Sequence, residues 1–405
     1  MSVTLRATSD LQPNTPQATV EVRGRVTLQD TAGFRLELDG AAVAVAHPAA
    51  MPGEQPSLGA WVRVRGAWDG ARLTADSVEI VRTPVRDVAR GDSDFGWSQA
   101  GGIVMLKHRH AAMRAIRSFF DGAGFTEVET PTVVRSPGLE LHLEALEVLG
   151  AGGPHWLQTS PEYHMKRLVS AGMSRIYQLC KSYRRGERGA LHEPEFTMLE
   201  WYRAFAGSEE VMRDTEELTA HVAHALHGTT RVAGLTGEID FAPPWERMRV
   251  RDAFERHASA SLDDLLTDEE TFYRVLIEEV EPKLGRGKPT FLTHYPPSMA
   301  ALARIRPDDP TAADRFEAYV NGIELCNGFG ELTDPVEQRR RFELDRAARK
   351  NLGRPVYPLD ERLLGALEDG LPPSGGNALG VDRLLMLMLG ENDIAQVVAF
   401  ATARV

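Results

Sequence analysis

The chain has 405 residues, of which 42% are hydrophobic and 26% charged, and its formal net charge is -12. This length is enough for two or three domains, and the balance of residues is that of an ordinary water-soluble globular protein. The acidic charge argues against indiscriminate binding to nucleic acid, and no apolar run is long enough for a membrane span or a signal peptide.

Residues 1–17 are polar, contain proline and are predicted to be a disordered lead-in. Residues 18–83 carry pairs of aliphatic residues at period two, such as Val20/Val22 and Val62/Val64, separated by turn signals. About five short strands in this length predict an all-β barrel of the OB type. Residues 84–102, rich in charge, glycine and serine, are predicted to be a linker.

Three later segments have apolar residues at helical spacing: residues 103–122, 208–227 and 267–284. The third opens with Thr267 and Glu270 in the spacing of a capping box. Strand-like runs occur at 155–159, 175–184, 195–203, 315–332 and 376–381. Because most of these strands follow one another without a helix between, residues 103–405 are predicted to form an α+β domain with a largely antiparallel sheet.

Two cysteines, Cys180 and Cys326, each lie in an apolar strand-like run. They are too few for a disulfide framework or a cysteine-rich zinc site, so we expect two reduced, buried thiols in a cytoplasmic protein. The segment GRGKPT at 285–290 lacks the upstream glycine of a P-loop, and neither GxGxxG after a strand nor HExxH occurs. A nucleotide would have to be bound without a helix-based phosphate loop.

The stretch EFTMLEWYR, residues 195–203, alternates as a strand, which puts Glu200 and Tyr202 on one face. Alone, this pair could be a solvated strand face. If Glu162 and Glu331 converge on it, three carboxylates without a metal would repel one another and stay partly protonated. A substrate with two ammonium groups, such as lysine or a lysine isomer, would relieve that repulsion.

A second set of residues suits a nucleotide. Arg184 and Arg383 end or follow strands, and a guanidinium fork can bind phosphate oxygens through two parallel hydrogen bonds. Glu317 and Glu324 could hold Mg²⁺ beside the phosphates, since this ion takes few protein carboxylates. Phe196 could stack on an adenine.

Four stretches carry a family resemblance: TSPEYHMKRL, HEPEFTMLEWYR, GIELCNGFGELTD and ALGVDRLLML. Residues 103–405 resemble the catalytic domain of class II lysyl-tRNA synthetases, and most closely the related family of elongation factor P lysine ligases. The resemblance implies an ATP-dependent ligase that forms an aminoacyl-adenylate. It also implies an antiparallel sheet of about six or seven strands flanked by helices, and a homodimer through residues 103–135.

The resemblance also implies roles for individual residues. The amino-acid site would comprise Ser160, Glu162, Glu200, Tyr202, Asn327, Phe329, Glu331 and Ala378. The site for ATP and Mg²⁺ would comprise Arg184, Glu187, His192, Phe196, Glu317, Glu324, Gly380 and Arg383. Arg184 and Arg383 would be the catalytic clamps on the triphosphate, and Glu317 and Glu324 the metal ligands. His192 could instead be a structural hydrogen-bonding residue.

Two positions depart from the synthetase pattern. The usual Arg-x-Glu becomes Arg184-Arg185-Gly186-Glu187, so a shift of the loop would be needed for Glu187 to serve the adenine side. Lysyl-tRNA synthetases usually carry glycine where this chain has Ala378. The elongation factor P ligases have alanine there, which goes with accepting (R)-β-lysine, and one methyl group shifts a preference by ~1–3 kcal/mol.

The barrel leaves the acceptor open, because the familiar elongation factor P ligases lack such a domain. Four arginines alternate with valines and should point outward: Arg23, Arg25, Arg63 and Arg65. If the first and fourth strands are neighbours, as in OB barrels, they form a stripe, which could bind nucleic acid or be a solvated face. Three aromatic residues could stack on bases or belong to the core: Phe34, Trp61 and Trp68.

Three functions are therefore weighed. The leading hypothesis is an ATP-dependent ligase that activates lysine or (R)-β-lysine and transfers it to a lysine of elongation factor P. The alternative is a compact lysine–tRNA ligase that charges tRNA-Lys, and the third is a non-catalytic synthetase paralogue, which only the displaced Glu187 supports. The sequence leaves open the acceptor, the preferred isomer and what the barrel binds.

Overall fold

The computed structural model describes residues 3–4, 11, 17–30, 33–46, 55–86, 88, 93–150, 152–266 and 268–402. They form two compact units, Met1–His108 and Arg109–Val405. None of the helices in these ranges is long and apolar enough to cross a membrane. The predicted lead-in falls mostly outside the described ranges, and within it Val3–Thr4 form a short strand.

The strands are β1 (Val3–Thr4), β2 (Gln17–Asp30), β3 (Gly33–Leu38), β4 (Ala41–Ala46), β5 (Trp61–Trp68), β6 (Arg72–Arg82), β7 (Thr126–Glu127), β8 (Val133–Val134), β9 (Trp156–Leu157), β10 (Arg175–Tyr183), β11 (Glu195–Ala204), β12 (Arg231–Gly234), β13 (Gly237–Asp240), β14 (Glu246–Arg249), β15 (Thr290–Tyr295), β16 (Ala313–Val320), β17 (Ile323–Gly330) and β18 (Ser374–Gly380). The α-helices are α1 (Asp94–Trp97), α2 (Ile103–Gly122), α3 (Glu162–Ser170), α4 (Ser208–His227), α5 (Val250–His257), α6 (Leu262–Leu265), α7 (Glu269–Val275), α8 (Pro335–Asn351), α9 (Glu361–Gly370) and α10 (Val381–Leu389).

Strands β2 to β6 close into a barrel in the first unit. β2 pairs with both β3 and β5, β3 pairs with β4, and β6 joins β5 to β4. The pairing of β4 with β6 is parallel and the others are antiparallel, which is the OB arrangement. Val20, Val22 and Val64 are fully buried because alternate residues of a strand face the interior. The prediction of an OB-like barrel is confirmed.

The neighbouring first and fourth barrel strands place Arg23 directly opposite Arg63. Each arginine has a carboxylate partner: Arg23 Nη2 lies 3.1 Å from Glu21 Oε1, and Arg63 Nη1 lies 2.7 Å from Glu79 Oε2. These carboxylates offset much of the positive charge that two facing arginines would otherwise concentrate. The predicted stripe is therefore a mixed-charge surface.

Arg25 lies on the outer face of the barrel as predicted, opposite the exposed Trp61, but it is not freely exposed. Its side chain is half-buried and donates a hydrogen bond of 3.0 Å to the carbonyl of Gly59, while its guanidinium lies 4.5 Å from the centre of the Phe95 ring. Phe34 and Trp68 belong to the barrel core, so neither ring is available to a base. Trp61 is 41% exposed and stays a candidate for stacking.

The second unit is built on an eight-stranded sheet in the order β14-β15-β16-β17-β18-β11-β10-β7. The six central strands are antiparallel, and the short edge strands β14 and β7 pair in parallel with their neighbours. The prediction of a largely antiparallel sheet flanked by helices is confirmed, and the sheet has eight strands where six or seven were expected.

The two faces of β11 have different environments. Leu199 and Trp201 are fully buried in a core that also contains Phe120 of α2, Val211 of α4 and Leu384 of α10. The alternate residues of β11 point to the opposite face of the sheet. The helices on one side therefore hold the sheet in place, and the other face is free to carry polar side chains.

The helix predicted at 208–227 is confirmed as α4, which ends at Gly228 in the left-handed conformation (φ 72°). The segment 267–284 is helical in part. Thr267 lies outside the described residues, and the side chain that caps α7 is Asp268, which accepts from the backbone N of Thr271 at 3.0 Å, so the predicted capping residue is wrong. Beyond α7 the chain continues as a π turn, Leu276–Val280.

Candidate active site

A row of directly opposite residues crosses the polar face of the large sheet. Gln178 of β10 faces Glu200 of β11, which faces Ala378 of β18; Ala378 in turn faces Asn327 of β17, and Asn327 faces Glu317 of β16. Directly opposite residues project from the same face of a sheet. The register therefore brings three predicted amino-acid residues, Glu200, Ala378 and Asn327, and one predicted metal ligand onto one surface.

Glu200 lies at the centre of the predicted amino-acid site and is 1% exposed. Ser160 donates its hydroxyl to Oε1 at 2.5 Å, and the hydroxyl of Tyr202 donates to Oε2 at 3.1 Å. Burial raises the pKa of Glu200 to about 8, and the charge of Glu162 adds to the rise, whereas the two hydroxyl donors work against it. This carboxyl is poised to ionise when a cation arrives.

Lys166 is a member of the pocket that sequence reasoning missed. Its ammonium nitrogen lies 2.5 Å from Glu162 Oε1 and 2.6 Å from Glu331 Oε2. Burial alone would lower its pKa, but the two carboxylates outweigh burial and raise it. A signal existed, because Lys166 stands four residues after Glu162 and residues so spaced on a helix are neighbours.

Glu331 is the third carboxylate of this acidic pocket, because its charge acts on Tyr202 together with those of Glu162 and Glu200. Burial raises its pKa to about 7, and the adjacent Lys166 ammonium opposes that rise. A side chain at Gly376 would collide with the Glu331 carboxylate and the Tyr202 ring, so this position has to lack a Cβ. The glycine thus leaves the room that the acidic groups occupy.

Ala378 and Asn327 form the floor between the acidic groups. Ala378 is half-buried and lies between Glu200 and Asn327 in the strand register. Asn327 Oδ1 is buried and accepts no hydrogen bond from the described part of the chain. Such an atom is free to accept a hydrogen bond from an ammonium group. Phe329 is half-buried on the same strand face, two residues further on.

Glu140 is a second residue that sequence reasoning missed. Its pKa is raised to about 7 by burial, and then by the charge of Glu162. Its Oε2 has no hydrogen-bond partner among the residues described. The charge of Arg184 acts on Glu140 as well. Glu140 therefore interacts with one residue of the predicted amino-acid site and with one of the predicted nucleotide site. It stands in a loop with no periodic pattern, which gave no signal.

Arg184 and Phe196 lie together at the nucleotide end. The Arg184 guanidinium carbon is 5.0 Å from the centre of the Phe196 ring, a cation–π contact. Glu187 Oε1 lies 3.8 Å from Arg184 Nη1, so the displaced glutamate does reach this group. The structure thus brings all three together, while their roles toward a nucleotide remain predictions.

Arg383 contacts two other residues of the predicted nucleotide site. It donates to the backbone carbonyl of Glu324 at 2.8 Å and to the Oε2 atom of Glu324 at 3.2 Å, and its Nη2 lies 2.6 Å from Nε2 of His192. Burial, and next the charge of Arg383, lower the pKa of His192, so a neutral imidazole accepts this hydrogen bond. Gly380 is the residue from which α10, the helix of Arg383, begins.

Glu317 is held by three donors. The hydroxyls of Tyr295 and Tyr319 each donate to Oε2 at 2.6 Å, and Arg315 donates to Oε1 at 2.6 Å. Strand register puts Glu324 opposite Tyr319, so both predicted metal ligands project from one face.

The described residues include no cluster of three or more metal-ligating side chains. Two carboxylates fit Mg²⁺, because this ion takes its other ligands from phosphates and water. Glu281 lies near the pair, and its pKa is raised to about 7 by burial and then by Glu317.

Neither of the two cysteines forms a disulfide, and Cys180 lies close enough to Glu200 for that charge to add to the rise that burial causes in the pKa of its thiol. Cys326 is buried and Cys180 is half-buried, so the expectation of burial holds fully for Cys326 alone. Burial raises the pKa of both thiols to about 12, which keeps them protonated and unreactive.

Comparisons with known proteins agree with this geometry. Residues 103–404 match the family model described as tRNA synthetases class II (D, K and N). A curated protein of Salmonella gallinarum, named elongation factor P–(R)-β-lysine ligase, is 41% identical over 318 residues, which cover 76% of this chain and 98% of that protein. Residues 103–404, which the family model matches, contain every site residue described above.

Proposed function

The chain belongs to the class II tRNA synthetase family of the D, K and N type and to its branch of elongation factor P–(R)-β-lysine ligases, and on that premise we propose what it acts on. It is an ATP-dependent ligase that activates a lysine-type amino acid, with (R)-β-lysine as the preferred isomer. The acceptor is a lysine side chain of elongation factor P.

The observation that carries this proposal is the buried acidic pocket. Glu162, Glu200 and Glu331 converge there, and an internal ammonium, that of Lys166, already occupies the space between two of them. Buried carboxylates of this density require cations. A substrate with two ammonium groups supplies them, whereas a neutral or acidic amino acid would leave the charges unmatched.

Separate residues bind the amino acid and the magnesium ion. Glu200, held by Ser160 and Tyr202, binds one substrate ammonium, and Ala378 limits the depth of the pocket floor. Bound Mg²⁺ would sit at Glu317 and Glu324 and neutralise phosphate charge.

Two arginines complete the reaction site. Arg184, which follows β10, and Arg383, on the helix that follows β18, bind the phosphates of ATP. No general base is needed, because the attacking group is a carboxylate that is already ionised, so positioning and charge neutralisation carry the reaction.

The test is transfer to the acceptor. Purified protein, ATP and (R)-β-lysine should add one β-lysyl group to elongation factor P, measured by intact mass spectrometry. Glu331→Gln should abolish the modification, because it removes a carboxylate of the pocket. Glu195→Gln is the matched control, since that carboxylate stands on β11 but is exposed and paired with Lys181. Unmodified acceptor with the unaltered protein would refute the proposal.

The closed barrel favours a second candidate, a compact lysine–tRNA ligase. Arg23 and Arg63 face each other on its surface, and Arg65 is exposed on the strand of Arg63. The neighbouring carboxylates weaken this candidate, because phosphate binding needs unpaired cations. It predicts charging of tRNA-Lys that is lost when Arg23, Arg25, Arg63 and Arg65 are replaced together, and it fails if no charging occurs.

A non-catalytic paralogue is the third candidate, and its support has shrunk because Glu187 lies beside Arg184. Lysine-dependent exchange of pyrophosphate into ATP would eliminate it. The proposal also includes a homodimer through residues 103–135, where Val133 is 42% exposed, and a cytoplasmic location, which two free thiols and the need for ATP favour. The mass of the protein in solution tests the dimer.

A further inference from the structure

Lys166 has no task in the proposed reaction, although its ammonium lies among the carboxylates that bind the substrate. Its side chain is 3% exposed, and lysine is among the residues that are rarely buried unless they are paired. It reaches from α3 to Glu331, which follows β17, so one ammonium ties two separate elements together. A residue placed at this cost of desolvation requires an explanation.

We infer that Lys166 is a specificity-determining residue that sets the net charge of the pocket to match an amino acid with two ammonium groups. Three carboxylates, those of Glu162, Glu200 and Glu331, face one internal ammonium. Two negative charges therefore remain for the substrate when all three carboxylates are ionised. The inference rests on the proposed function, because it takes the diammonium amino acid as the ligand.

The reason lies in the repulsion between buried carboxylates. Glu162 and Glu331 both contact the same ammonium nitrogen, so without it they would form a close pair of buried acids. Such a pair cannot ionise fully, and one member retains a proton. The other titratable groups that interact with this pair bring no positive charge: Glu140, Tyr163, Glu200, Tyr202 and Asp314. Two further cations, Arg304 and Arg306, are paired with Asp314. A substrate ammonium would then meet a neutral acid.

The inference predicts a change in the protons released on binding. Titration calorimetry at pH 7 in two buffers of different ionisation enthalpy counts the protons lost when (R)-β-lysine binds. Lys166→Met should bind about 10- to 100-fold more weakly, because each pKa unit above the working pH costs about tenfold in affinity. It should also release about one more proton than the unaltered protein, since the retained proton has to leave. Lys166→Arg should restore both values.

The controls separate charge setting from folding. Lys181→Met removes an exposed lysine of β10 that is paired with Glu195, and it should change neither value. Thermal unfolding shows whether each variant is folded. Lys166→Gln is a second neutral variant whose amide keeps a hydrogen bond to the carboxylates, in case the methionine variant does not fold.

The outcomes distinguish the two proposals. Equal proton release by the unaltered protein and the folded neutral variants overturns the inference, and so does a failure of Lys166→Arg to restore binding. If the unaltered protein binds (R)-β-lysine and shows the predicted proton difference but leaves elongation factor P unmodified, the acceptor assignment fails and the inference stands. If it binds no diammonium amino acid, both fail.

Discussion

We expect Ala378 to be the residue at which the pocket distinguishes lysine isomers. It lies between Glu200 and Asn327 in the strand register, so its methyl group should limit how closely a substrate ammonium approaches the floor. Ala378→Gly should shift the ratio of kcat/KM for the two isomers toward L-lysine by ~1–3 kcal/mol, the usual value of one methyl group in a pocket. ATP–pyrophosphate exchange with L-lysine and (R)-β-lysine measures this ratio.

A glycine also loosens a strand, by roughly 0.5–1 kcal/mol, so this effect has to be separated from the change in preference. Ala204→Gly serves as the matched control, because Ala204 lies at the end of β11 opposite Ser374, away from Glu200. It should lower stability and leave the isomer ratio unchanged. An unchanged ratio in Ala378→Gly would show that the isomers are distinguished elsewhere.

Sequence reasoning succeeded for residues of the site that belong to alternating strands. Glu200 and Tyr202 were predicted to share a face, and they share a hydrogen bond. Lys166 and Glu140 were missed for two different physical reasons. Lys166 looks like a surface lysine until the sheet brings Glu331 to it, and Glu140 stands in a loop whose position depends on tertiary packing.

At the scale of elements, Asp382 joins three parts of the fold. Its Oδ2 accepts from the backbone N of Thr197 on β11 at 2.7 Å, and its Oδ1 accepts from Arg109 of α2 at 2.6 Å. Replacing this residue of α10 in Asp382→Ala should lower the free energy of unfolding by about 3 kcal/mol, because the mostly buried Arg109 guanidinium, 16% exposed, loses its only carboxylate partner among the described residues. The urea midpoint and slope at equilibrium measure this change.

An exposed ion pair in the same unit provides the comparison. Arg117 and Glu127 lie 3.0 Å apart with both side chains more than a third exposed. Arg117→Ala should therefore cost no more than about 1 kcal/mol. If Asp382→Ala costs as little as Arg117→Ala, the linkage between the three elements carries no special stability.

Elements with a strong repeat of apolar residues were predicted well. Elements that a single residue interrupts, or that are very short, were not. The bounds of α4 match the prediction because its apolar residues are four apart and Gly228 supplies the left-handed end. The segment 267–284 could not remain one regular helix, since Pro282 lacks a backbone N–H and its ring clashes with the preceding turn. Edge strand β7 has two residues, too few to show an alternating pattern.

For the whole molecule, the buried acids tie folding stability to pH. Four carboxyls have a pKa raised by burial from 4.5 to about 7 or 8: Glu140, Glu200, Glu281 and Glu331. Each holds a proton in the folded state that it has lost in the unfolded state above pH 4.5. Stability from these groups is therefore present at low pH and is lost as pH rises through the folded pKa values.

Half-buried histidines such as His192, whose pKa is lowered by burial, act in the opposite direction, but they do so at and below their ordinary pKa of about 6.5. The melting temperature of the unliganded protein should therefore fall between about pH 6.5 and 8.5, where the histidines are already neutral and the four carboxyls lose their protons. The melting temperature of Glu200→Gln should fall less over this range, because the variant lacks the carboxyl with the highest of the four pKa values. Saturating (R)-β-lysine should reverse the fall, since its ammonium groups stabilise the ionised pocket. Thermal unfolding at matched ionic strength measures all three curves, and a melting temperature that is constant or rises over this window would show that the pocket is ionised without a ligand.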